Sequence, residues 1–430
     1  MRTIQVAVAG LGFVGRETVR LLAANRERFA QRLGARIELA AVCDRQAELE
    51  ARRLKLPKSV RRVRDPEELL RRPGLDVIVE LLGGLEAPRR LVVGALRSGR
   101  HVVTANKRLL SHCWDEVHAA SAESGARLYF EGSVAGGIPL LQALDNSFAA
   151  NRIEAVYGIL NGTTNYILTR VEQGLTPEDA LREAQARGFA EKDPTMDLSG
   201  EDSAQKVAVL GSLITGAWLK PGGIARAGIT GISREDVEFA RASLGRTPRL
   251  LGVLRLSGKD PVRVEAHVFP TLVPLDHPLA AVRREYNAVL VKASSAEDLM
   301  FYGKGAGPGP TASAVVGDVF MLSRDVLGGL SPARRSLGRA ALSPIEDSVA
   351  PFYLRLFAQD RPGVLASVTA ALARRGISIA TIHQSDTPAK AGVPIVLTTH
   401  PAPHGRFQQA LREIARLKAV ASRVTVLRML

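Results

Sequence analysis

The sequence has few cysteines and no long apolar run. Cys43 and Cys113 are its only thiols, and their local contexts match neither a disulfide framework nor metal-ligand spacing, so we expect both to be reduced. No apolar stretch reaches the roughly 18 residues that a membrane helix needs, and residues 4–9 form an early apolar strand that no cleavable leader precedes. These absences predict a soluble, cytoplasmic protein without a membrane partner.

Aromatic residues are also scarce, at 5% of the chain, although the net charge is +15. The arginines occur in scattered pairs, such as Arg52 with Arg53 and Arg334 with Arg335, and few aromatics lie between them. A nucleic-acid surface needs concentrated charge and stacking aromatics. The pattern therefore indicates solvated helix faces and no nucleic-acid partner, although the general positive field favours small anionic ligands.

The chain does contain the pattern of a dinucleotide site. Its 430 residues, 46% of them hydrophobic, suffice for two or three packed domains. Residues 4–9 predict a buried strand and residues 16–24 a helix, and the connection between them reads G-x-G-x-x-G. In that position the pattern brings backbone amides close to a pyrophosphate at the positive end of the helix. The residues of this predicted site are Gly10, Gly12, Phe13, Val14 and Gly15.

The next predicted strand bears on the choice of coenzyme. It covers residues 37–43 and ends at Asp44, where a carboxylate can accept a hydrogen bond from a ribose 2′-hydroxyl. Arg45 follows, and a guanidinium there can pair with a 2′-phosphate instead. The pattern supports NAD and NADP equally, and it is also typical of polar residues that merely follow a strand.

Strands and helices continue to alternate up to Lys107. Residues 76–82 predict a buried strand and residues 88–97 a helix, and a further strand leads to Lys107. This alternation predicts a doubly wound parallel sheet. Lys107 stands just past the carboxyl end of its strand, the edge at which such sheets bind ligands. The alternative is an exposed solubilising charge.

Two loops in the middle of the chain carry candidate ligand groups. Residues 132–139 are too glycine-rich for a helix, and their carbonyl oxygens with Glu131 suit a hard monovalent cation, with an ordinary tight loop as the alternative. Residues 161–165 predict a loop of amide and hydroxyl donors before a helix over residues 166–173. The backbone amides there, at Gly162 and Thr163, suit a substrate carboxylate.

The densest charge cluster lies in residues 188–206, a Pro- and Gly-broken loop that leads into a helix. Asp202 and Lys206 are four residues apart and therefore share one helix face, where an amine and a carboxylate can exchange a proton. The alternative is an ordinary capped helix, in which Ser199 is the cap and Lys206 an exposed ion-pair partner.

The C-terminal third predicts the end of the preceding domains, then a linker and a small module. A helix over residues 311–327 returns to the nucleotide domain, and residues 329–348 are rich in Pro, Ser and Gly. The module reads strand, helix, strand, strand, helix, strand, which is the ferredoxin-like order. Its predicted elements are residues 352–357, 363–375, 377–383, 393–399, 406–417 and 420–427.

Several motifs carry a family resemblance. The spacing Gly188-Phe189, Asp193-Pro194, Asp197-Leu198, Gly200, Asp202 and Lys206 resembles the signature segment of homoserine dehydrogenases. Residues 103–107, 159–167 and 300–316 resemble further motifs of that family in the expected order, so the similarity covers nearly the whole chain. It implies the monofunctional enzyme, which interconverts L-aspartate 4-semialdehyde and L-homoserine with NADPH or NADH, a step toward threonine and methionine.

The resemblance also implies residue roles. Lys206 corresponds to the catalytic acid and base, Asp202 to its partner, and Lys107 to a lysine near nicotinamide and substrate. Glu191 and Asp197 correspond to acids that contact homoserine. Such acids suit the ammonium of a zwitterionic substrate, and a nearby lysine ammonium suits the negative charge that develops on the aldehyde oxygen during reduction.

Ion, coenzyme and effector sites follow from the resemblance as well. At Cys43 many relatives carry an arginine that can meet a 2′-phosphate, so the coenzyme preference stays open. The motifs at residues 360–365 and 375–379 resemble ACT domains, which implies inhibition by an amino acid such as threonine, with a purely dimerising module as the alternative. The implied sodium ligands are Glu131, Val134, Gly136 and Ile138, and the implied coenzyme loop contains Gly303 and Gly305.

The predicted fold class is α/β. We expect a Rossmann-like nucleotide-binding domain at residues 1–135, completed by 305–330, and an α/β substrate and dimerisation domain at 136–304. A linker at 331–350 and a ferredoxin-like ACT domain at 351–430 follow. The assembly is expected to be a homodimer or homotetramer.

Two other functions are compatible with parts of the sequence. One is a catalytically inactive regulatory protein that binds nucleotide and an amino acid. The other is a phosphorylating semialdehyde dehydrogenase that works through a cysteine thioester, which requires an activated thiol. Neither Cys43 nor Cys113 stands in a glycine-rich or His-paired motif.

Overall fold

The structure is a computed structural model that describes residues 2–259, 261–330, 339–384, 392–421 and 424–430. Within those residues no helix is both long and apolar enough to cross a membrane. The chain divides into two compact units. The first unit comprises Met1–Ile153, Ala208–Gly222 and Ala293–Ala340, and the second comprises Glu154–Val207, Gly223–Lys292 and Ala341–Leu430. Residues 331–338 of the predicted linker lie outside the described residues.

Strands and helices alternate through most of the chain. The strands are β1 (Thr3–Ala9), β2 (Arg36–Cys43), β3 (Arg61–Val63), β4 (Val77–Glu80), β5 (His101–Thr104), β6 (Leu128–Tyr129), β7 (Ile153–Ile159), β8 (Ala225–Arg226), β9 (Arg246–Ser257), β10 (Val262–Pro274), β11 (Tyr286–Ala293), β12 (Glu297–Lys304), β13 (Ala340–Leu342), β14 (Val349–Ala350), β15 (Phe352–Ala358), β16 (Ile379–Gln384), β17 (Val393–Thr399), β18 (Ala402–Pro403) and β19 (Thr425–Met429). The helices are α1 (Phe13–Ala24), α2 (Arg26–Leu33), α3 (Ala47–Arg53), α4 (Glu67–Arg71), α5 (Glu86–Arg97), α6 (Lys107–Ser124), α7 (Gly162–Glu172), α8 (Pro177–Ala186), α9 (Thr195–Leu198), α10 (Glu201–Thr215), α11 (Arg234–Leu244), α12 (Pro308–Leu327), α13 (Val364–Ala373) and α14 (His404–Ile414).

The first unit is built on a parallel sheet of order β3-β2-β1-β4-β5-β6. Alternate residues of β1 enter two separate cores, because successive side chains of a strand point to opposite faces. Val6 and Val8 pack with residues of α1 and α12, whereas Ala7 and Ala9 pack with residues of α5 and α6. The sheet is thus covered on both faces, which confirms the predicted doubly wound arrangement.

Three local predictions for the first unit differ from the structure. Helix α1 begins at Phe13, three residues before the predicted start, because Gly12 already occupies the N-cap position. Strand β5 ends at Thr104 and does not continue to Lys107, which lies past the carboxyl end of the strand, as predicted, and is the first residue of α6. Gly303 lies on β12, a strand that the glycine-rich sequence did not predict.

The second unit joins the C-terminal module to the preceding sheet. In order, β7, β9, β10, β19, β15, β17 and β16 are hydrogen-bonded neighbours. The strands β15, β16, β17 and β19 with helices α13 and α14 have the ferredoxin-like order that the sequence predicts. The last strand covers Thr425–Met429 instead of residues 420–427, and it pairs in parallel with β10, Thr271 opposite Arg428.

A buried ion pair ties the module to helix α11 within the second unit. Arg355 on β15 donates from Nε to Asp236 Oδ1 (2.6 Å) and from Nη2 to Asp236 Oδ2 (2.8 Å). The hydroxyl of Tyr353 donates to the same carboxylate at 2.8 Å. Asp236 also completes a capping box with Ser233 at the start of α11. The Asp236 side chain is fully buried, so this carboxylate depends on Arg355 for its charge balance.

Candidate active site

Lys206 and Asp202 form a buried ion pair on helix α10. The Lys206 Nζ donates to Asp202 Oδ2 at 2.7 Å and to the carbonyl oxygen of Leu160 at 2.6 Å. Lys206 is 8% exposed and Asp202 is 7% exposed. The alternative of an exposed ion pair is therefore wrong. Ser199 is not the cap of this helix either, because it ends the short helix α9 before Gly200 turns the chain with φ 81°.

Asn161 connects this pair to a further carboxylate. It follows β7, and its side-chain Nδ2 donates to Asp197 Oδ1 at 2.7 Å and to Asp202 Oδ2 at 2.9 Å. Sequence reasoning placed Asn161 in a donor-rich loop but assigned it no role. The structure thus brings Asp197, Asp202 and Lys206 together through a residue that the motif spacing did not single out.

Gly162 and Thr163 are the first two residues of helix α7 rather than part of a loop. The predicted helix start at residue 166 is wrong, because Asn161 is the N-cap and accepts from Thr164 N at 2.8 Å. The Thr163 hydroxyl donates to the carbonyl oxygen of Phe189 at 2.6 Å. This side chain therefore anchors residues 187–194, the acidic loop between α8 and α9. The backbone amides of Gly162 and Thr163 lie at the positive end of α7, where an anion is favoured.

The acidic loop between α8 and α9 is ordered by local hydrogen bonds. The Nε2 of Gln185 donates to the carbonyl oxygens of Glu191 (3.1 Å) and Lys192 (3.4 Å). Hydrogen bonds from Thr195 hold the pKa of Asp193 below its ordinary value. The Glu191 side chain is exposed, and among the described residues no hydrogen bond joins it to the cluster of Asp197, Asp202 and Lys206.

The glycine-rich turn between β1 and α1 has the close packing that the pattern requires. Gly10 has φ 95°, and a Cβ on Gly15 would lie 1.8 Å from the Gly10 carbonyl oxygen. A Cβ on Gly12, in contrast, would meet no atom within 4 Å. Phe13 is 77% exposed beside this opening and Val14 is half-buried. Gly10 and Gly15 therefore shape the turn, whereas the space above Gly12 suits an approaching ligand.

This difference gives a testable prediction. We expect Gly12→Ala to fold normally but to raise the KM for the nicotinamide coenzyme by about tenfold or more, because the methyl group would fill the open space in which the sequence pattern predicts the pyrophosphate. Gly15→Ala is the matched control that disrupts the turn itself and lowers the melting temperature. Equal coenzyme KM values for Gly12→Ala and the unsubstituted chain would contradict the dinucleotide site.

Asp44 directly follows β2, as the sequence predicts, and it also stabilises the glycine-rich turn by hydrogen bonding. Its Oδ2 accepts from Leu11 N at 2.9 Å and its Oδ1 from Gln46 N at 2.9 Å. Arg45 beside it is exposed. Because each carboxylate oxygen has two lone pairs, Asp44 retains capacity for a ribose hydroxyl.

Neither cysteine has the environment of an activated thiol. Burial, and then the charge of Asp44, raise the pKa of Cys43 to about 12. Burial, and then Glu116, also raise the pKa of Cys113. A nucleophilic thiolate requires the opposite shift. The structure therefore argues against a cysteine thioester.

Lys107 begins helix α6 within a connected set of hydrogen bonds in the first unit. Asn106 caps the helix by accepting from Leu109 N at 3.0 Å, and its Nδ2 donates to the carbonyl oxygen of Gly84 at 3.0 Å. Thr104 donates to the buried carboxylate of Glu80 at 2.6 Å. This set joins the carboxyl ends of β4 and β5 and places the half-buried Lys107 at that edge of the sheet.

Glu131 is buried in the first unit among backbone amides. Its carboxylate accepts from the amides of Leu140 (2.7 Å), Leu141 (2.9 Å) and Gln142 (2.8 Å). Burial raises its pKa, and burial with the nearby Glu131 raises the pKa of Asp318 to about 8. In the described part of the chain, no group of three or more His, Cys, Asp or Glu side chains could hold a metal ion. Any cation here would therefore need carbonyl ligands.

The loop after Glu131 has an irregular backbone. Ala135 has φ 54°, an unusual conformation for a residue with a Cβ, and it lies between Val134 and Gly136. The Ile138 carbonyl accepts from Leu140 N at 2.8 Å. A Cβ on Gly136 would lie 2.8 Å from the carbonyl oxygen of Gly305, so this loop packs closely on the residues before α12.

Family models match three parts of the chain. Residues 10–131 match the homoserine dehydrogenase NAD binding domain, and residues 139–320 match homoserine dehydrogenase. Residues 352–419 match the ACT domain. In chain order, the three matches cover most of the parallel sheet of the first unit, the segment that contains Lys206, and the ferredoxin-like module.

Full-length relatives agree with these matches. The homoserine dehydrogenase of Mycobacterium leprae is 39% identical over 436 residues, which cover 100% of this chain and 98% of the relative. That of Neisseria gonorrhoeae is 36% identical over 439 residues, which cover 100% and 99%.

Solved structures show the same similarity in three dimensions. A homoserine dehydrogenase from Thiobacillus denitrificans has a TM-score of 0.91 and 37% identity, with 100% of this chain and 99% of the other covered. A hyperthermophilic archaeal homoserine dehydrogenase in complex with NADPH has a TM-score of 0.63 and 25% identity, covering 75% and 98%. The chain therefore belongs to the homoserine dehydrogenase family of NAD(P)-dependent oxidoreductases and carries a C-terminal ACT domain.

Proposed function

We propose that this protein reduces the aldehyde of L-aspartate 4-semialdehyde to the alcohol of L-homoserine, with Lys206 as the proton donor, in the pathway toward threonine and methionine. The observation that carries the proposal is the buried Lys206 ammonium. Two of its N–H groups donate hydrogen bonds, one to Asp202 and one to the carbonyl oxygen of Leu160. An ammonium has three donors, so one remains for the substrate oxygen. As a hydride reaches the aldehyde carbon, negative charge grows on that oxygen, and Lys206 stabilises the charge and donates a proton. In the reverse direction Lys206 accepts the alcohol proton.

The substrate is a zwitterion, and the second unit offers groups for both of its charges. Asp197 and Glu191 suit its ammonium. Asp197 can accept from the substrate as well as from Asn161, because a carboxylate oxygen has two lone pairs. The amides of Gly162 and Thr163 at the start of α7 suit its carboxylate.

The first unit holds the groups for the coenzyme. When bound, a nicotinamide coenzyme supplies the hydride. The turn from Gly10 to Gly15 suits its pyrophosphate, and Asp44 and Arg45 suit its adenosine ribose. Lys107 suits the nicotinamide end, and Gly303 near the end of β12 and Gly305 after that strand suit further contact with the coenzyme. The archaeal relative in complex with NADPH supports NADP, whereas Asp44 supports NAD.

A sodium ion fits the buried loop after Glu131. Positive charge there would offset two buried carboxylates, Glu131 and Asp318, whose pKa values burial raises. The proposed ligands are Glu131 with the carbonyl oxygens of Val134, Gly136 and Ile138. The ion would have a structural role, because it would hold the loop that packs against Gly305.

The ACT domain supports regulation by an amino acid, and we propose threonine. A cavity of about 380 Å³ lies beside the start of α13. Asp360 and Arg361 in its lining suit the ammonium and carboxylate of an amino acid, and Val364 and Ile395 suit its aliphatic part. A homodimer or homotetramer is proposed for the assembly, supported by Leu299, Met300 and Tyr302, which are exposed along β12.

A steady-state assay tests the proposed function. We expect aspartate semialdehyde to drive the oxidation of NADPH or NADH, and threonine to slow it. A reaction without semialdehyde is the control. Coenzyme and threonine binding without turnover would favour the inactive regulatory protein instead.

A further inference from the structure

We propose that Asn161 is a positioning residue that holds Asp197 and Asp202 in place and thereby sets how readily Lys206 exchanges its proton; this inference rests on the proposed function. Asn161 is 4% exposed and makes hydrogen bonds from both ends of its side chain. Its Nδ2 donates to Asp197 and Asp202, and its Oδ1 accepts from Thr164 N (2.8 Å) and Thr164 Oγ1 (3.0 Å).

The surroundings determine the orientation of this amide. The two carboxylates can only accept, and the backbone N–H of Thr164 can only donate. A flipped amide would place its carbonyl oxygen against two carboxylates and its NH₂ group against an N–H. Asn161 therefore offers both donors to the acidic side of the site.

Asn161 and Lys206 share one acceptor. Asp202 Oδ2 lies 2.9 Å from Asn161 Nδ2 and 2.7 Å from Lys206 Nζ. The amide stabilises part of the negative charge of Asp202 that also acts on the Lys206 ammonium. Without that donor, Asp202 holds the Lys206 proton more strongly, because an opposite charge stabilises the charged form of its neighbour. Homoserine oxidation, which needs Lys206 as a base, then requires a higher pH.

Asn161 also links three elements. It follows β7, while Asp197 lies on α9 and Asp202 on α10. The preceding residue, Leu160, accepts from Lys206 at 2.6 Å, so the end of β7 holds both the ammonium and its carboxylate. An acid proposed to bind substrate and an acid proposed to aid proton transfer are thus held by a single side chain. Loss of the bridge is expected to change the KM for homoserine and the kcat together.

The test is the pH dependence of homoserine oxidation by Asn161→Ser in the full chain. A serine retains an N-cap oxygen for α7 but does not reach both carboxylates. We expect kcat to fall about tenfold or more and the KM for homoserine to rise. The ascending limb of the pH profile of kcat/KM is expected to move up by about one pH unit.

Asn165→Ser is the matched control. Asn165 lies on the same helix and is also buried, but its Nδ2 donates to the backbone carbonyls of Arg284 (2.9 Å) and Tyr286 (3.2 Å). In the part of the chain that the structure describes, its side chain donates to backbone carbonyls and to neither Asp197 nor Asp202. We expect this variant to be less stable, but we expect the ascending limb of its kcat/KM profile to stay at the original pH.

Asn161→Asp keeps the proposal testable if the serine variant does not fold. Aspartate has the same shape and caps helices well, but it cannot donate to the two carboxylates. We expect the ascending limb of the kcat/KM profile to shift to a higher pH than in Asn161→Ser. If the unsubstituted enzyme turns over, two results overturn the positioning role. One is an ascending limb of the kcat/KM profile that stays at its original pH in the Asn161 variants, and the other is an equal shift of that limb in Asn165→Ser. Absence of turnover in the unsubstituted enzyme overturns the proposed function instead.

Discussion

Lys206→Met is expected to lower the kcat for aspartate semialdehyde reduction by about 10²- to 10⁴-fold, the usual contribution of a positioned proton donor. Methionine keeps the apolar stem of the side chain and removes the ammonium that is proposed to stabilise the developing oxyanion. Affinity for the coenzyme, measured by fluorescence titration, is expected to change little, because the glycine-rich turn is untouched. Turnover within about twofold of the unsubstituted enzyme would exclude Lys206 as the proton donor.

Two further variants separate chemistry from stability in that experiment. Lys206→Met alone removes the cation that lies 2.7 Å from the buried Asp202 carboxylate, and loss of one partner of a buried ion pair destabilises a protein by several kcal/mol. The double variant Lys206→Met with Asp202→Asn removes both charges and is expected to recover stability without recovering turnover. Lys192→Met is the matched control, since Lys192 is an exposed lysine in the loop that leads to α9.

Arg355→Met is expected to lower the free energy of unfolding by about 3–5 kcal/mol, because it leaves the buried Asp236 carboxylate without its cation. Urea or thermal unfolding measures the effect. A loss below about 1 kcal/mol would contradict the view that this pair joins the ACT domain to α11.

The same helix provides a matched control. Arg234 and Glu238 form an exposed pair four residues apart on α11. Arg234→Met is expected to change stability little, because solvent screens exposed pairs. The double variant Arg355→Met with Asp236→Asn removes both charges of the buried pair. Its free energy of unfolding is expected to fall less than that of Arg355→Met alone. A double-mutant cycle therefore measures the coupling between β15 and α11.

Local patterns account for much of the fold and part of the candidate site. The strand before Gly10 and the helix that begins at Phe13 follow from residues adjacent in sequence, as does the N-cap of α8 at Thr176. The spacing of Asp202 and Lys206 likewise places them on one helix face. These features depend on backbone sterics and helical periodicity, which act over a few residues.

Helix and strand ends were predicted less well. The start of α7 at Gly162 depends on the Asn161 cap, and the residues of that segment also suit a donor-rich loop. The strand β12 contains Gly303 and exposed polar residues, so neither its composition nor its alternation distinguishes it from a loop. The last strand begins at Thr425 because its partners are β10 and β15, which are distant in sequence.

The sequence by itself determined the nucleotide-binding turn, the βαββαβ order of the C-terminal module and the pairing of Asp202 with Lys206. Only the tertiary structure decided that this pair is buried, that Asn161 bridges Asp197 and Asp202, and that Arg355 neutralises Asp236. The physical reason is the range of the interactions. Burial and hydrogen bonding depend on groups brought together from distant segments, and a local pattern does not contain their positions.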